Sequence, residues 1–455
     1  MNWSTFITKS FPRNWSGLRH EACLATHMRI IARPHSFAHT KLTRLMKSPT
    51  HRLPLRNYGL PLCMFGLFPS LAQATLDPSG TFRPFVSETV SYDDNLFRRS
   101  SSLAAVGALG GVRLIKDDLM NQATGGGAVN YHLGRQKFNL NLRVSYNSFL
   151  NNSFLNHVAT NNRGVWQWTA GNQLWGDVGY GYTRTMGGFT NTTFFGLDII
   201  SGNNGFANLN YAWHPRWKAR AGINWQDFQH SASQRKLLNQ QNLTGMVNLI
   251  YTTPSNNSTG LDFSVISGKF PNRELLQNVA VDNKFMQYNV NALLTWKLTE
   301  KTNFDGTVGY AIRQYPDVSS RNFSGETFNL MLSWAPTSKL IFSVSGWRKL
   351  TSWPDINTTY IVTEGFSVSP MWQVSPKLNV IARFDRQNLD FTVVDSLIPS
   401  TPRRDTVMSG QLSLVYKPLT STEVTLGYQA GTRSTNQQFF DYTFNSVFTS
   451  VMVTF

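Results

Sequence analysis

Side chains of the kinds used in catalysis and metal binding are few and widely spaced in this sequence. Beyond Ala74 there are four histidines, and none has a second histidine, cysteine or carboxylate at metal-ligand spacing: His132, His157, His214 and His230. The sequence has no G-x-S-x-G nucleophile motif and no P-loop. Gly125–Gly127 falls within a predicted strand, where glycine relieves crowding or marks a bend. We therefore expect neither catalysis nor a metal or other cofactor.

The elements that would position any functional side chain show a regular alternation of apolar and polar residues. Between residues 137 and 147 every second side chain is apolar, and the same period of two recurs at 217–226 and 287–296. Such a period places alternate side chains on opposite faces of a β-strand. The apolar set of the first segment is Phe138, Leu140, Leu142, Val144 and Tyr146.

These segments are long for a soluble protein. They run for 10 to 14 residues, whereas soluble strands average about five or six and a tilted strand needs roughly 9 to 11 to cross a bilayer. No run of 18 consecutive apolar residues is present, so no transmembrane helix is predicted. The low charged fraction, 15%, suits a wall with lipid on one face and water on the other. The sequence thus predicts an all-β, transmembrane antiparallel barrel of the outer-membrane type.

An aromatic residue near the end of alternate segments indicates the topology. Successive members are 37 to 45 residues apart, which fits one hairpin each, and several of the turns that follow contain proline. Eight short turns join 16 strands, and further strands at 82–92 and 441–455 bring the prediction to about 18, with 16 as the lower bound. Trp and Tyr at one depth are typical of an interfacial girdle, although aromatic pairing in a soluble barrel is the alternative. The girdle residues are Tyr131, Trp168, Trp213, Tyr251, Trp296, Trp334, Trp372 and Tyr416.

Longer polar loops alternate with the short turns, and we expect them on the extracellular side. They lie at about 93–118, 151–162, 187–201, 229–240, 271–284 and 391–404. The middle of the first loop, residues 103–112, is apolar, which is unusual for an exposed loop. It could fold into the lumen as a constriction, or it could extend the flanking strands above the membrane.

If the apolar residues face lipid, the opposite face of the strands holds charged residues among many Asn, Gln and Ser. Such a wall can hydrogen-bond hydroxyl-rich solutes, and its arginines can steer anionic ones. The same charges could instead pair across the wall and only keep the lumen hydrated. The candidate pore-lining residues are Arg143, Arg220, Arg313, Arg383, Asp177, Asp262, Asp305 and Asp385.

The formal net charge of +17 is concentrated at the N-terminus. Residues 1–74 contain ten of the 42 Lys and Arg residues and one of the 25 acidic residues, which leaves +8 for residues 75–455. Because most of this charge lies in a segment that we expect to be removed, we predict no nucleic-acid partner.

Residues 46–74 have the features of a secretory signal peptide. A basic segment precedes an apolar core at 58–68 that is too short to span a bilayer, and a small-x-small cleavage site follows. We therefore expect Met46 to be the start, with residues 1–45 a non-native or disordered basic extension; a genuine basic cytoplasmic tail is the alternative. The basic residues are Lys47, Arg52 and Arg56, and the cleavage-site residues are Ala72 and Ala74.

The expected mature chain has a short periplasmic lead at 75–81 and a barrel at 82–455. Cys23 and Cys63 both lie before the cleavage site, so we expect no disulfide in it. The last strand ends on Phe455, with Val451 and Val453 on the same face. This ending resembles the C-terminal signal by which outer-membrane barrels are handed to their assembly machinery, which is therefore an expected partner, as is outer-membrane lipid.

The barrel opens with the run Tyr92, Asp93, Asp94, Asn95, Leu96, Phe97 and Arg98. This run resembles the opening signature of the outer-membrane proteins called EpsL. EpsL proteins are encoded in exopolysaccharide operons associated with exosortase and PEP-CTERM systems, within a broader group of β-barrel porins. The resemblance implies a role in moving polysaccharide across the outer membrane. From the residues alone, Asp93, Asp94 and Asn95 could bind a cation or sugar hydroxyls, or could form a turn by bonding the local backbone.

The leading interpretation is a passive channel for exopolysaccharide in the outer membrane of a Gram-negative bacterium. Polysaccharide, and periplasmic or inner-membrane export proteins, would be its partners. A general or solute-selective porin for nutrient uptake is one alternative, and a closed barrel that serves as scaffold or adhesin is another.

Cleavage after Ala74 would make Thr75 the first residue of the mature protein. We expect N-terminal sequencing of the protein isolated from outer membranes to begin at Thr75. Ala74→Leu should block processing, because the cleavage site requires a small residue there. Recovery of a mature chain that still contains residues 1–45 would contradict the assignment.

Overall fold

The structure, a computed structural model, describes residues 82–100, 114–192, 194–273, 283–316, 319, 322–355, 358–393 and 402–455. The expected signal peptide and N-terminal extension, and the apolar segment 103–112, lie outside the described residues. Neither of the two short 3-10 helices in the described part, Ser153–Leu155 and Ser233–Leu238, is a candidate membrane span.

Eighteen β-strands account for most of the described chain. They are β1 (Phe82–Asp93), β2 (Asp118–Leu133), β3 (Gln136–Phe149), β4 (His157–Ala170), β5 (Leu174–Met186), β6 (Ile199–His214), β7 (Trp217–His230), β8 (Gln240–Thr252), β9 (Ser258–Lys269), β10 (Lys284–Thr299), β11 (Thr302–Gln314), β12 (Phe323–Trp334), β13 (Leu340–Asp355), β14 (Thr358–Ser375), β15 (Leu378–Val393), β16 (Arg404–Leu419), β17 (Thr422–Thr435) and β18 (Tyr442–Thr454).

Each strand pairs antiparallel with its neighbours in sequence, and β18 pairs antiparallel with β1. The sheet is therefore a closed ring of eighteen strands, and the predicted fold class is confirmed. Closure gives every strand a partner on both sides and leaves no open edge, which is the condition for a β-structure in lipid.

The outer face of the wall is apolar and the inner face polar. On β3, Leu140, Leu142 and Val144 are 39%, 46% and 50% exposed. The alternate residues Arg143 and Ser145 face the interior. This distribution is the inverse of that in a soluble protein, where side chains of such size pack inside. A lipid environment outside the ring explains it.

Two rings of aromatic residues border the apolar band. The lower girdle is the predicted set of eight, which lies at the short-turn ends of the even-numbered strands. On β10 the rings are represented by Trp296 and Tyr288, eight residues apart, or about 26 Å along the strand and about 20 Å along the membrane normal. The second ring, the upper girdle, was not predicted and consists of Tyr92, Tyr146, Tyr180, Trp225, Tyr288, Tyr310 and Tyr428.

The seam between β1 and β18 is fixed at both ends. At the extracellular end, the Asp94 carboxylate accepts hydrogen bonds from the backbone N–H and the side-chain amide of Asn445, both at 2.8 Å. At the opposite end, the backbone N–H of Phe455 donates to the carbonyl of Pro84 at 2.9 Å. The two ends of the barrel segment are thus joined over the whole height of the wall.

Several strands extend further on the extracellular side than the sequence pattern indicates. β4 begins at His157 and β6 at Ile199, inside the segments 151–162 and 187–201 that were predicted as loops. These loop boundaries were wrong because outward residues such as Asn162 are polar there. That part of the wall projects above the hydrocarbon, so backbone pairing continues after the apolar alternation has stopped.

Leu142 faces lipid, and the neighbouring Asn141 faces the lumen. We expect Leu142→Arg to lower the free energy of unfolding by about 2–4 kcal/mol, because the guanidinium must enter hydrocarbon. Asn141→Arg is the matched control and should cost much less. Urea titration of the barrel in lipid vesicles, followed by Trp fluorescence, measures both values. Equal losses in the two variants would contradict the assignment of faces.

Candidate channel wall and extracellular mouth

The interior face of β6, β7, β8 and β10 is lined mainly by side-chain amides. They bond to one another and to neighbouring hydroxyls: Gln287 Nε2 donates to Asn289 Oδ1 at 2.7 Å, and Asn289 Nδ2 donates to Ser264 Oγ at 3.0 Å. Because an amide both donates and accepts, this surface can match a neutral ligand rich in hydroxyl groups. We call it the amide wall; its members are Asn204, Asn208, Asn210, Asn224, Gln226, Asn242, Asn248, Gln287, Asn289 and Asn291.

All eight predicted pore-lining residues lie in the inward-facing register of their strands. Three carboxylates accept a hydrogen bond from a neighbouring strand: Asp177 from Asn208 Nδ2 at 3.2 Å, Asp262 from Asn291 Nδ2 at 2.7 Å, and Asp305 from Thr295 Oγ1 at 3.0 Å. These acidic groups are therefore integrated into the polar lining of the wall.

The predicted charges are brought together in two places. Arg383 and Asp385 form an ion pair on β15. Arg220 on β7 shares a cross-strand row with Asp262 on β9, with Asn248 of β8 between them. The other predicted residues are distributed around the ring, so the wall provides a dispersed polar lining instead of one compact charged site.

Two of the predicted arginines lie against aromatic rings on the inner face. Arg313 donates to Gln287 Oε1 at 2.8 Å. Its guanidinium carbon lies 4.3 Å from the centre of the ring of Phe285 on β10. The guanidinium carbon of Arg143 lies 5.3 Å from the ring centre of Phe85. Such cation–π contacts hold the arginines against the wall.

The extracellular mouth is crossed by the segment between β5 and β6, residues 187–198, of which residue 193 is not described. We call this segment the mouth loop. Arg433 on β17 donates to the carbonyl of Thr190 and, at 2.8 Å, to Oδ1 of Asn191. Because β17 stands six strands from β5 in a ring of eighteen, the mouth loop crosses about a third of the circumference.

A buried carboxylate positions the arginine that holds the far side of the mouth loop. Asp405 Oδ2 accepts from Nε of Arg433 and from Nη2 of Arg403, both at 2.8 Å. The side chains of Arg433 and Asp405 are 0% exposed. Two guanidinium groups on one carboxylate leave a net positive charge, which the carbonyl of Thr190 partly complements.

An apolar cluster packs against the mouth loop. The ring of Phe189 lies 4.8 Å from that of Phe97, and the ring of Phe195 lies 5.7 Å from it. Leu155 and Met186 belong to the same cluster. Its residues come from the β1–β2, β3–β4 and β5–β6 connections and from the strand ends beside them, so the cluster lies at the mouth above the first six strands.

The run Tyr92–Arg98 links this cluster to the barrel seam. Arg98 contacts both oxygens of Asp93, at 2.7 and 2.8 Å, and Asn95 donates to the carbonyl of Thr443 on β18 at 2.8 Å. The next two residues, leucine and phenylalanine, enter the apolar cluster. The structure thus gives these side chains a turn-forming and seam-closing role.

Asp198 anchors the near side of the mouth loop. Its carboxylate is 4% exposed and lies 2.6 Å from Nδ1 of His230 and 2.9 Å from Nε of Arg235. Burial alone would raise the pKa of Asp198, but the hydrogen bond and charge of His230, the N–H of Ala232 and the charge of Arg235 together lower it.

Sequence reasoning missed these anchors because their partners are far apart in the chain. Asn191 and Arg433 are 242 positions apart, and Asp198 and His230 are 32 apart. The hairpin register could have revealed the second contact, since Ile200 pairs with His230. Among the described residues, no group of three His, Cys, Asp or Glu side chains could hold a metal ion.

Comparison with known proteins relates the later part of the chain to porins. Residues 284–455, which contain β10 to β18, match a family model described as "Putative beta-barrel porin 2". No curated protein matches the chain.

Solved structures that resemble this barrel include three proteins of Pseudomonas aeruginosa, among them the outer-membrane protein OpdK. OpdK is 9% identical with a TM-score of 0.45 (82% of this chain, 99% of that one), and OpdQ is 12% identical with a TM-score of 0.46 (82% and 99%). The siderophore receptor PirA is 8% identical with a TM-score of 0.42 (84% and 81%). The closed antiparallel ring of eighteen strands is itself a porin-like β-barrel fold of the outer-membrane type.

The lowered pKa of Asp198 makes the attachment of the mouth loop sensitive to strong acid. The carboxyl has a lower pKa when anchored than when free, so its stabilisation is complete above the ordinary aspartate pKa of about 3.9. It is lost as the pH falls through the lower, anchored value. We expect hydrogen exchange in the mouth loop, corrected for intrinsic rates, to rise only below about pH 4. Asp198→Asn should abolish this rise; an equal rise in that variant would contradict the prediction.

Proposed function

We propose that the barrel is a passive channel through which exopolysaccharide crosses the outer membrane. The amide wall is the observation that carries this proposal. A polysaccharide presents hydroxyl groups that donate and accept hydrogen bonds, and side-chain amides do the same at neutral charge. An amide-rich surface on four strands offers a moving chain many similar weak contacts, which suits passage better than a few strong ones.

The form of the mouth is consistent with this route. The mouth loop and its apolar cluster occupy the sector from β17 round to β6. The amide wall, on β6, β7, β8 and β10, lies mostly outside this sector. In this proposal, a polymer that enters from the short-turn side follows the amide wall toward the extracellular mouth.

The resemblance of Tyr92–Arg98 to the EpsL signature is a second support for a polysaccharide. In this proposal, synthesis of the polymer, or periplasmic and inner-membrane export proteins, supply the direction of transport. Barrel-assembly machinery and the C-terminal residues Val451, Val453 and Phe455 would act earlier, during insertion.

A solute-selective porin for nutrient uptake is the second candidate. The porin family description for residues 284–455 favours it, and arginines such as Arg220 on the inner face would steer anionic solutes. The two candidates differ in which ligand occupies the lumen: a neutral polymer in the first and a small solute in the second.

Single-channel recording of the mature protein in planar bilayers distinguishes these candidates. We expect dextran, added on the short-turn side as the probe, to block the current reversibly, and glucose at equal mass concentration to leave it unchanged. Asn204→Ala/Asn289→Ala should weaken the dextran block about thirtyfold, since two lost hydrogen bonds at about 1 kcal/mol each amount to about 2 kcal/mol. Asn121→Ala, on the lipid face of β2, is the matched control and should have no effect.

The remaining outcomes would overturn the proposal. Binding of small anions without block by the polymer would establish the uptake porin. Absence of any conductance would indicate a closed barrel that serves as a scaffold or adhesin.

A further inference from the structure

The seam between β12 and β13 is paired only over its lower part. Within the described residues, the paired rows rise from the short turn to Phe328 and Arg348 and stop there. Both strands continue upward: β12 remains paired with β11 as far as Phe323, and β13 remains paired with β14 as far as Asp355. The two hairpins that meet at this seam therefore separate from each other above Phe328.

The separation begins close to the upper girdle. Phe328 lies opposite Val308 of β11, two residues below Tyr310, which is a member of that girdle. Backbone groups without a protein partner are costly in hydrocarbon, whereas water can satisfy them above it. The seam is thus paired through the apolar band and divides at its upper border.

Above the separation, the hairpin of β13 and β14 leans into the barrel. Leu350 and Val362 belong to the outward-facing register of these strands, the same register as the exposed residues Val344 and Phe366. They nevertheless pack against the cluster that contains Phe285, whose side chain faces the interior from β10. The outer surface of this hairpin therefore lies on the inner surface of the neighbouring wall.

Apolar contacts hold the hairpin in this inward position. The ring of Tyr360 lies 5.4 Å from the ring of Phe323 on β12 in an edge-to-face arrangement, and the Tyr360 hydroxyl donates to the carbonyl of Asn322 at 3.5 Å. Tyr360 is buried although its strand stands in the wall of the barrel. We call residues 349–355 and 358–363 the lid, and we define the lid seal as Phe285, Phe323, Leu350, Tyr360 and Val362.

The strand register also defines a second position for the lid, in which β12 and β13 pair over a greater length. Continuing the register upward from Phe328 and Arg348 sets Gly325 opposite Thr351. This pairing would add backbone hydrogen bonds above the girdle, but it would turn Tyr360 away from Phe323. Each position thus has contacts that the other lacks, which is the property of a two-state element.

We propose that the lid is a gate of the extracellular mouth, closed in the inward position and open in the outward one. This role rests on the proposed channel function and adds its regulation. Gln287, at the upper end of the amide wall on β10, is two residues from Phe285 of the lid seal. A solute that follows the amide wall therefore reaches the mouth beside the inward lid.

The position of the lid complements that of the mouth loop. The mouth loop crosses the sector from β6 to β17, whereas the inward lid covers the inner face of β9 to β12. The mouth is thus narrowed from two sides. Outward movement of the lid would widen it without separating the rows that are paired in hydrocarbon, because the seam below Phe328 stays intact.

Disulfide trapping detects the outward position, because the expected mature chain contains no cysteine. We call Gly325→Cys/Thr351→Cys the lock variant, since these residues face each other only when the lid is outward. Met331→Cys/Ser345→Cys is the matched control, because its residues are paired below the separation in either position. We expect the control to form its disulfide readily on oxidation and the lock variant to form it slowly.

Removal of the seal ring should favour the outward position. Tyr360→Ala in the lock variant should raise the rate of disulfide formation about tenfold, because the edge-to-face contact and its buried area are lost. Phe366→Ala removes an outward-facing ring from the same strand below the lid, and it should leave the rate unchanged. Heat-modifiable migration in gels verifies that each variant is a folded barrel.

Single-channel recording then tests whether the lid is a gate. We expect oxidation to raise the conductance of the lock variant and dithiothreitol to reverse the change, whereas oxidation of the control pair should have no effect. A lock variant that never forms its disulfide, even with Tyr360→Ala, would overturn the proposal, as would a disulfide without any change of conductance. If conductance follows the lid but dextran does not block the locked channel, the gate is supported and the exopolysaccharide route fails.

Discussion

The structure depends on one constraint: each backbone N–H and C=O group in hydrocarbon must find its partner within the protein. A ring of eighteen strands meets this constraint only if β1 and β18 pair, because an open seam would expose two edges to lipid. The contacts of Asp94 with Asn445 and of Phe455 with Pro84 fix this pairing above and below the apolar band. These contacts near the two ends of β1 therefore keep the ring closed.

Closure into a ring also decides where the protein can place each kind of side chain. The wall is a single β-sheet with lipid on one side and water on the other, so its apolar side chains cannot form an interior core. Packed apolar clusters occur instead at the extracellular end, where Phe97 and Phe189 meet. The mouth loop and the apolar cluster packed against it therefore resemble the core of a soluble protein. Its arginine contacts, through Arg433 and Arg235, connect it to both sides of the mouth.

The amino-acid pattern was sufficient to predict the fold but not the mouth. Alternation at residues 137–147 and regularly spaced aromatics such as Trp296 predicted strands, strand number and closure, because lipid imposes a simple rule on each second residue. The alternation of apolar and polar residues ends above the membrane. The first residues of β4 lie there among polar residues, and they were therefore predicted as part of a loop. The contacts of Asp198 and Arg433 could not be predicted, since they depend on how loops fold across the ring and follow no local spacing. The inward register of Arg220 and Asp262 followed from alternation, whereas their shared row required the strand register.

The separation of the two girdles also bears on which membrane the barrel can occupy. Trp296 and Tyr288 bracket a band about 20 Å high, whereas an average bilayer has a hydrocarbon core of about 30 Å. In a membrane of average thickness the surrounding lipids would have to compress to meet the wall, at a modest cost per ångström of mismatch. The bacterial outer membrane is thinner than average, so the height of the wall matches it better than a membrane of average thickness. The spacing of the two aromatic rings therefore sets the bilayer thickness that suits the barrel.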